Sequence, residues 1–493
     1  MEVLDTSIAN VALPHIAGSL SASVSEATWV LTSYLVANAI ILSATGWLSS
    51  YFGRKNYLAF SVILFVVSSA LCGMAHSMGQ IVVARVLQGI GGGGLQPLSQ
   101  AILLESFPVE NRGPAMAAYG MGIVVAPILG PTLGGWLTDS YSWRWIFYIN
   151  VPIGLAGLFM QNIFVEDPPY IKAAKAEKID FMGFGLMAIG IGLLQIILDK
   201  GQEVDWFSAH WVCWSSCIAS VSLILFVWHE LRTAHPIVNL RVLKNRNFAV
   251  ATFLVAILGA ILYGSTATLP IMLQGLMGYT ALASGWVMTP RGIGSLLSMF
   301  VVGRIVKKID GRLLIAGGFL GIAWTSWALS RLNFSIAPAS IQGPLILNGF
   351  ATGFIFVPLT VVGYATLRQE EIFQATGIYN LMRNIGASIG ISALIAMQNR
   401  SAQFHQVVLS EHLSQLSPNL KNFMGAFTRS ISASPQAAFH LGQGVVYRLL
   451  LQQAAFLSFM DVFRWIAETS LICIVVAAIF KKADHPVHAV MVE

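Results

Sequence analysis

The chain has 493 residues, of which 56% are hydrophobic and 10% charged, far below the roughly one quarter charged residues of a soluble domain; water is excluded as its main solvent. Its formal charge of +6 points to no nucleic acid or other acidic partner, because the basic residues cluster in alternate loops. With the N-terminus inside, seventeen Lys and Arg fall in inner loops and three in short outer loops, the asymmetry that sets membrane orientation, so both termini are expected to be cytoplasmic.

Crossing a bilayer takes about 20 mostly apolar residues, and fourteen such windows centre near residues 9, 38, 66, 91, 125, 155, 189, 219, 260, 292, 321, 353, 386 and 468. The expected fold is an all-α integral membrane protein with 14 spans. The first window carries Asp5 and Asn10. Only about seventeen residues precede the first outer turn, or about 25 Å of helix against a hydrocarbon core of ~30 Å. Roughly ten to twenty further residues are therefore expected upstream. The second window places Tyr34 and Asn38 on one face and runs into GWLSSYFGRKNYL, Gly46 to Leu58, a tight basic turn containing Gly53, Arg54 and Lys55.

The fourth window contains Arg85 and Gly89 within RVLQGIGGG. The fifth contains APILGPTLGG, Ala126 to Gly135. There Gly130, Gly134 and Gly135 let another helix approach, while Pro127 and Pro131 remove backbone donors and bend the segment. Such a helix is suited to rocking against a neighbour. WRWIFYINVPIG opens the sixth window. The seventh and eighth, Phe181 to Leu198 and Trp211 to Trp228, are joined by the outer loop DKGQEVDWFSAH. A second basic turn, GRIVKKIDGR, follows the tenth window at the place corresponding to the first, as parallel repeats predict. The organisation is therefore read as a six-helix half over residues 1–170, an inserted helix pair over 171–235, and a second six-helix half over 236–493 with a long outer loop at 398–455. That loop is expected to be partly helical and divided by Pro418 and Pro435, with amphipathic pieces able to lie on the outer leaflet or dock a partner; a solvated loop is the plainer alternative. Cys213 and Cys217, one turn apart, supply only half a metal site, and no metal or disulfide framework is expected.

Five strings resemble one family. APILGPTLGG is similar to the antiporter signature of the drug:proton exporters of the major facilitator superfamily. LDTSIANVALP at Leu4 to Pro14, RVLQGIGGG, WRWIFYINVPIG and LDKGQEVDWFS narrow the resemblance to its fourteen-helix branch and to EmrB-type permeases. The resemblance implies two six-helix halves plus two extra central helices. It also implies proton-coupled efflux of hydrophobic or amphipathic compounds by alternating access across a bacterial inner membrane. The proton gradient would supply the energy without a cofactor, and a periplasmic adaptor and an outer-membrane channel would be partners. The chain departs from the superfamily at Ser50, where an Asp is usual, at Tyr51, where a basic residue is usual, and at Ala126, where the long signature has Gly. The ion pair that such an Asp would form is thereby in question.

An ionisable group within a span is a functional candidate because its burial is costly. Asp5 is the first choice for proton coupling, with a helix-capping, water-facing role as the alternative. Arg85 lies roughly 9 Å below the outer end of its span and Asn10 roughly 12 Å below that of the first, so these two are expected to meet, whereas Asp5 lies deeper and is not expected to pair with Arg85 directly. Asp461, Arg464 and Glu468 share one face of the last span and are expected to pair within it. Tyr34, Asn38, Arg291, Tyr379, Asn380 and Arg383 are candidates for a substrate cavity, or for plain packing and carbonyl bonding. A small-solute symporter is the alternative within the same fold. A membrane-bound enzyme would need clustered catalytic groups, and the ten His are scattered.

Overall fold

The computed structural model describes residues 1–108, 111–166, 180–233, 236–306, 308–334, 338–411, 413, 418–430 and 435–481. The helices are α1 (Glu2–Ser19), α2 (Val24–Ala27), α3 (Trp29–Phe52), α4 (Arg54–Gly73), α5 (Met78–Gly92) and α6 (Leu95–Ser106). They continue as α7 (Arg112–Ser140), α8 (Trp145–Tyr148), α9 (Asn150–Phe164), α10 (Phe181–Lys200), α11 (His210–Arg232) and α12 (Arg246–Pro270). The last are α13 (Ala281–Ile305), α14 (Gly311–Leu329), α15 (Pro338–Tyr364), α16 (Gln369–Glu411), α17 (Pro418–Ser430) and α18 (Pro435–Ala477). Each of the fourteen apolar windows falls on a helix of this series. Two spans are composite: α5 and α6 are one span broken at Gly93 and Gly94, and α8 and α9 are another.

Eight of these crossings are long and apolar enough to span a membrane on length and composition alone. The others include α1, the α5–α6 pair, α7, α13, α16 and α18, which carry Asp5, Arg85, the glycine-proline run, Arg291, Arg383 and Asp461. Large apolar side chains such as Phe164, Trp214, Ile472 and Val475 are well exposed, as helix faces that meet lipid tails must be.

Between helices in lipid the driving force is close packing of small residues rather than release of water, and the glycines mark where it acts. A Cβ on Gly349 of α15 would lie 1.7 Å from the Arg291 carbonyl oxygen of α13, and one on Gly294 of α13 would lie 2.0 Å from that of Ile346. Gly386 and Gly390 of α16 press in the same way on the backbone of Ala256 and Ala260 in α12, at 2.0 and 2.3 Å. The N-terminal part repeats both pairings. Gly89 of α5 and Gly93 just after it abut the backbone of Tyr34 and Asn38 in α3, and Gly130 and Gly134 of α7 abut Ser7 and Ile8 of α1. First span with fifth and second with fourth is thus the pattern on both sides of the α10–α11 pair, which is the internal duplication that the paired basic turns suggest.

The signature glycines do not act alike. Gly135 has nothing within 4 Å of an added Cβ, so only Gly130 and Gly134 serve close approach. The backbone of α7 is helical throughout; the side chains of Pro127 and Pro131 lie outside the described residues. The stretch expected to be a partly helical loop continues α16 to Glu411, and Pro418 and Pro435 begin α17 and α18, since proline fits the first helical turn where no N–H partner is needed.

Gly53, between α3 and α4, has φ 80° and ψ 149°, a region essentially restricted to glycine. Gly53→Ala is expected to destabilise the protein by about 1–3 kcal/mol, measurable as a lowered unfolding midpoint in detergent.

Candidate functional site

Asp5 lies one turn into α1 and is 2% exposed. Three donors converge on its carboxylate. Arg85 Nη1 reaches Oδ2 at 2.5 Å, Gln88 Nε2 donates to Oδ1 at 2.9 Å, and Asn150 Nδ2 donates to the same oxygen at 2.8 Å. Arg85 and Gln88 are a turn apart on α5, and Asn150 opens α9, so one helix face and one helix start supply the whole cage. Arg85 is itself held by the Val30 carbonyl at 2.7 Å and Gln88 Oε1 at 2.7 Å, with its guanidinium 4.3 Å from the centre of the Tyr34 ring. Gln88 also donates to Ser69 at 2.7 Å. The Asp5 carboxyl and the Arg85 guanidinium are both buried, so removing either member of the pair leaves the other without its counter-charge.

This geometry corrects two expectations. The Asp5–Arg85 pair is direct, because depth counted along helix axes ignored the reach of the arginine side chain. Asn10 does not meet Arg85; it is exposed, since it lies on the face of α1 away from α5. Gln88 and Asn150 were missed, although both stand inside strings singled out in the sequence and both are polar residues in apolar windows. Glu2 was missed as well. It is 8% exposed and accepts from Asn38 Nδ2 at 3.0 Å.

The cavity candidates separate into three places. Tyr34 packs on Arg85 and Asn38 bonds Glu2, so both line the α1–α3–α5 interior. Asn380 and Arg383 reach from α16 to α6 of the other half: Asn380 Nδ2 donates to Gln100 Oε1 at 2.6 Å, and Arg383 Nη2 donates to Gln96 Oε1. Tyr379 is fully buried and stacks edge-on against Tyr364 at 5.6 Å between centroids. Arg291 lies apart from these, donating to Thr266 at 3.1 Å and Ser265 at 3.0 Å. It borders a cavity of about 10 Å³, room for at most one water.

The two halves meet at the end that carries the basic turns. A Cβ on Gly46 would lie 3.2 Å from the Gln374 backbone of α16, and the Arg54 guanidinium sits 4.2 Å from the centre of the Phe373 ring. With Ser50 in place of the usual acid, Arg54 pairs instead with Glu105 at the end of α6, Nη2 to Oε1 at 2.9 Å. Lys55 donates to the Asn162 carbonyl at 2.9 Å, tying the turn to α9. In the last span Asp461 pairs with Arg464 at 3.5 Å, but its closer partner is His405 of α16, at 2.6 Å. Glu468 is exposed and takes no part in that pair.

Residues 1–391 match the family model of the Major Facilitator Superfamily. The multidrug export protein EmrB of Haemophilus influenzae is 37% identical over 446 residues, covering 90% of this chain and 87% of that protein. The fatty acid resistance protein FarB of Neisseria gonorrhoeae is 34% identical over 490 residues, covering 99% and 94%. Among solved structures, the proton:xylose symporter XylE superposes with a TM-score of 0.58 at 15% identity, covering 97% of each chain.

Proposed function

The chain belongs to the major facilitator superfamily, and from that premise we propose that it is a multidrug efflux permease exchanging protons for hydrophobic or amphipathic compounds by alternating access. It is a multi-pass membrane protein of transporter kind. The fold alone does not distinguish exporter from symporter, since XylE shares it; the likeness to EmrB over most of both chains favours export. The observation that carries proton coupling is the caged Asp5. A carboxyl held by Arg85, Gln88 and Asn150 in an apolar bundle can bind a proton only by giving up its pairing with Arg85, so its protonation is tied to a rearrangement of the site. The energy source is the proton gradient, the location is the inner membrane with both termini cytoplasmic, and a periplasmic adaptor with an outer-membrane channel would carry the cargo onward.

In proteoliposomes with an acid lumen, adding a lipophilic cation or an uncoupler-like compound outside is expected to drive protons out of the lumen. The Asp5→Asn protein is expected to show no such flux. Substrate uptake without proton movement in the unaltered protein would replace exchange by another transport mode.

A further inference from the structure

Rocking of two halves can be coupled to a proton only through a titratable group whose surroundings differ between the two positions of those halves. Asp5 does not meet this condition by itself. Its donors Arg85, Gln88 and Asn150, and Ser69 behind them, all belong to α4, α5 and α9 of the same half. A rigid movement of one half against the other leaves that cage intact.

Glu2 stands on the same helix, three residues before Asp5, and faces the other half. Asn38 holds Oε1, while Oε2 is buried without a hydrogen-bond partner. Gln96 abuts the Glu2 carboxylate, and Arg383 bonds to Gln96 from α16 and lies within electrostatic reach of Glu2. Arg383 is 4% exposed, and its Nε and Nη1 donors are likewise without partners. The Glu2 carboxylate and the Arg383 guanidinium thus belong to opposite halves, and Gln96 contacts both. The titratable side chains around Glu2 are Asp5 on its own helix, Tyr34 of α3, Tyr119 of α7 and Arg383 of α16. Of these, Arg383 alone lies in the opposite half.

We propose that Glu2 is a second proton-binding carboxyl of the transport cycle, and that it reads the relative position of the halves through Arg383. Ionised, Glu2 attracts Arg383 and favours the arrangement seen here, in which Arg383 of α16 is bonded to Gln96 of the opposite half. A proton from the outer solution converts it to the neutral acid, Arg383 keeps its charge, and the attraction is lost; separation of the halves then lets the proton leave to the inner solution. The proposal rests on the proton-exchange reading above and adds the residue that links the proton to the movement.

The test uses the full chain in nanodiscs, with its four native cysteines replaced by alanine and spin labels at Phe52→Cys and Leu313→Cys, both exposed near the inner ends of α3 and α14. The inter-label distance distribution is followed from about pH 5.5 to 8.5, where perturbed carboxyls titrate. The expected result is a pH-driven shift that is lost in Glu2→Gln and in Arg383→Gln, and retained with a moved midpoint in Glu2→Asp. An unchanged shift in Glu2→Gln, or no shift in the parent, overturns the proposal. If Glu2→Gln does not fold, loss of the shift in Arg383→Gln together with its retention in Glu2→Asp supports the proposal, and any other combination overturns it. Proton exchange measured on the same parent protein separates the two readings: exchange with a Glu2-independent shift defeats this inference alone, and absence of exchange defeats the reading it rests on.

Discussion

Arg85→Ala is expected to destabilise the protein by about 3–5 kcal/mol and to abolish proton-driven export, whereas adding Asp5→Asn to it should restore much of the stability and none of the export. The first cost arises because Asp5 is left as an uncompensated charge in an apolar bundle, a loss of that size when one partner of a buried pair is removed. Gln88 and Asn150 remain to solvate the carboxylate, but they are neutral and cannot replace the guanidinium. With Asn at position 5 no charge is buried, and the same two side chains bond an amide without strain. The stability cycle therefore has a large coupling term, as expected for groups in direct contact, while the transport assay reads zero at every corner except the parent. Unfolding midpoints in detergent for the four proteins would measure the coupling. Additive losses would mean that the pair is not in contact in the folded protein.

Gly349→Val is expected to prevent stable assembly, and Gly135→Val to leave it within about ±0.5 kcal/mol, the usual range for a substitution that meets no neighbour. At Gly349 an added Cβ already falls 1.7 Å from the Arg291 carbonyl oxygen and 3.0 Å from the Ser295 nitrogen. The obstacle is backbone, so relief requires α13 and α15 to move apart. Overpacking commonly costs roughly 1–3 kcal/mol, and here the separation also breaks the Ser295 hydroxyl bond to the Gly349 carbonyl, 3.0 Å in length. Yield of monodisperse protein after purification would show the contrast. Equal yields for both variants would show that the α13–α15 contact is looser than this packing requires.

The contrast between these two glycines shows how far a sequence can be read. Gly135 stands in the most conspicuous string of the chain and meets nothing, whereas Gly349 stands in no string that drew notice and fixes a helix pair. Asp5 and Arg85 were each visible as costly groups in apolar windows, because the price of burying a charge is a property of the residue and the solvent. That they touch was not visible. Counting rise per residue gives axial depth and nothing about side-chain reach, and it pairs Arg85 with Asn10, which is exposed. The basic turn was legible as a turn from Gly53 and its charges, yet the acid that answers Arg54 is Glu105, fifty-one residues further along. Glu2 escaped notice because only packing against α3, α6 and α16 reveals that it is enclosed.

What the sequence determined by itself is the solvent, the number and order of spans, the expected orientation, the duplication, and the residue types too costly to bury without a task. Those follow from transfer free energies and from the length of helix that crosses a bilayer, both additive along the chain. Which face of each helix turns inward, which glycines carry contacts, and which carboxyl looks toward the opposite half were decided only by tertiary structure. Such choices depend on the close fit of many helices at once, and in lipid, where burial of apolar surface does not distinguish one helix face from another, nothing local to the sequence sets them.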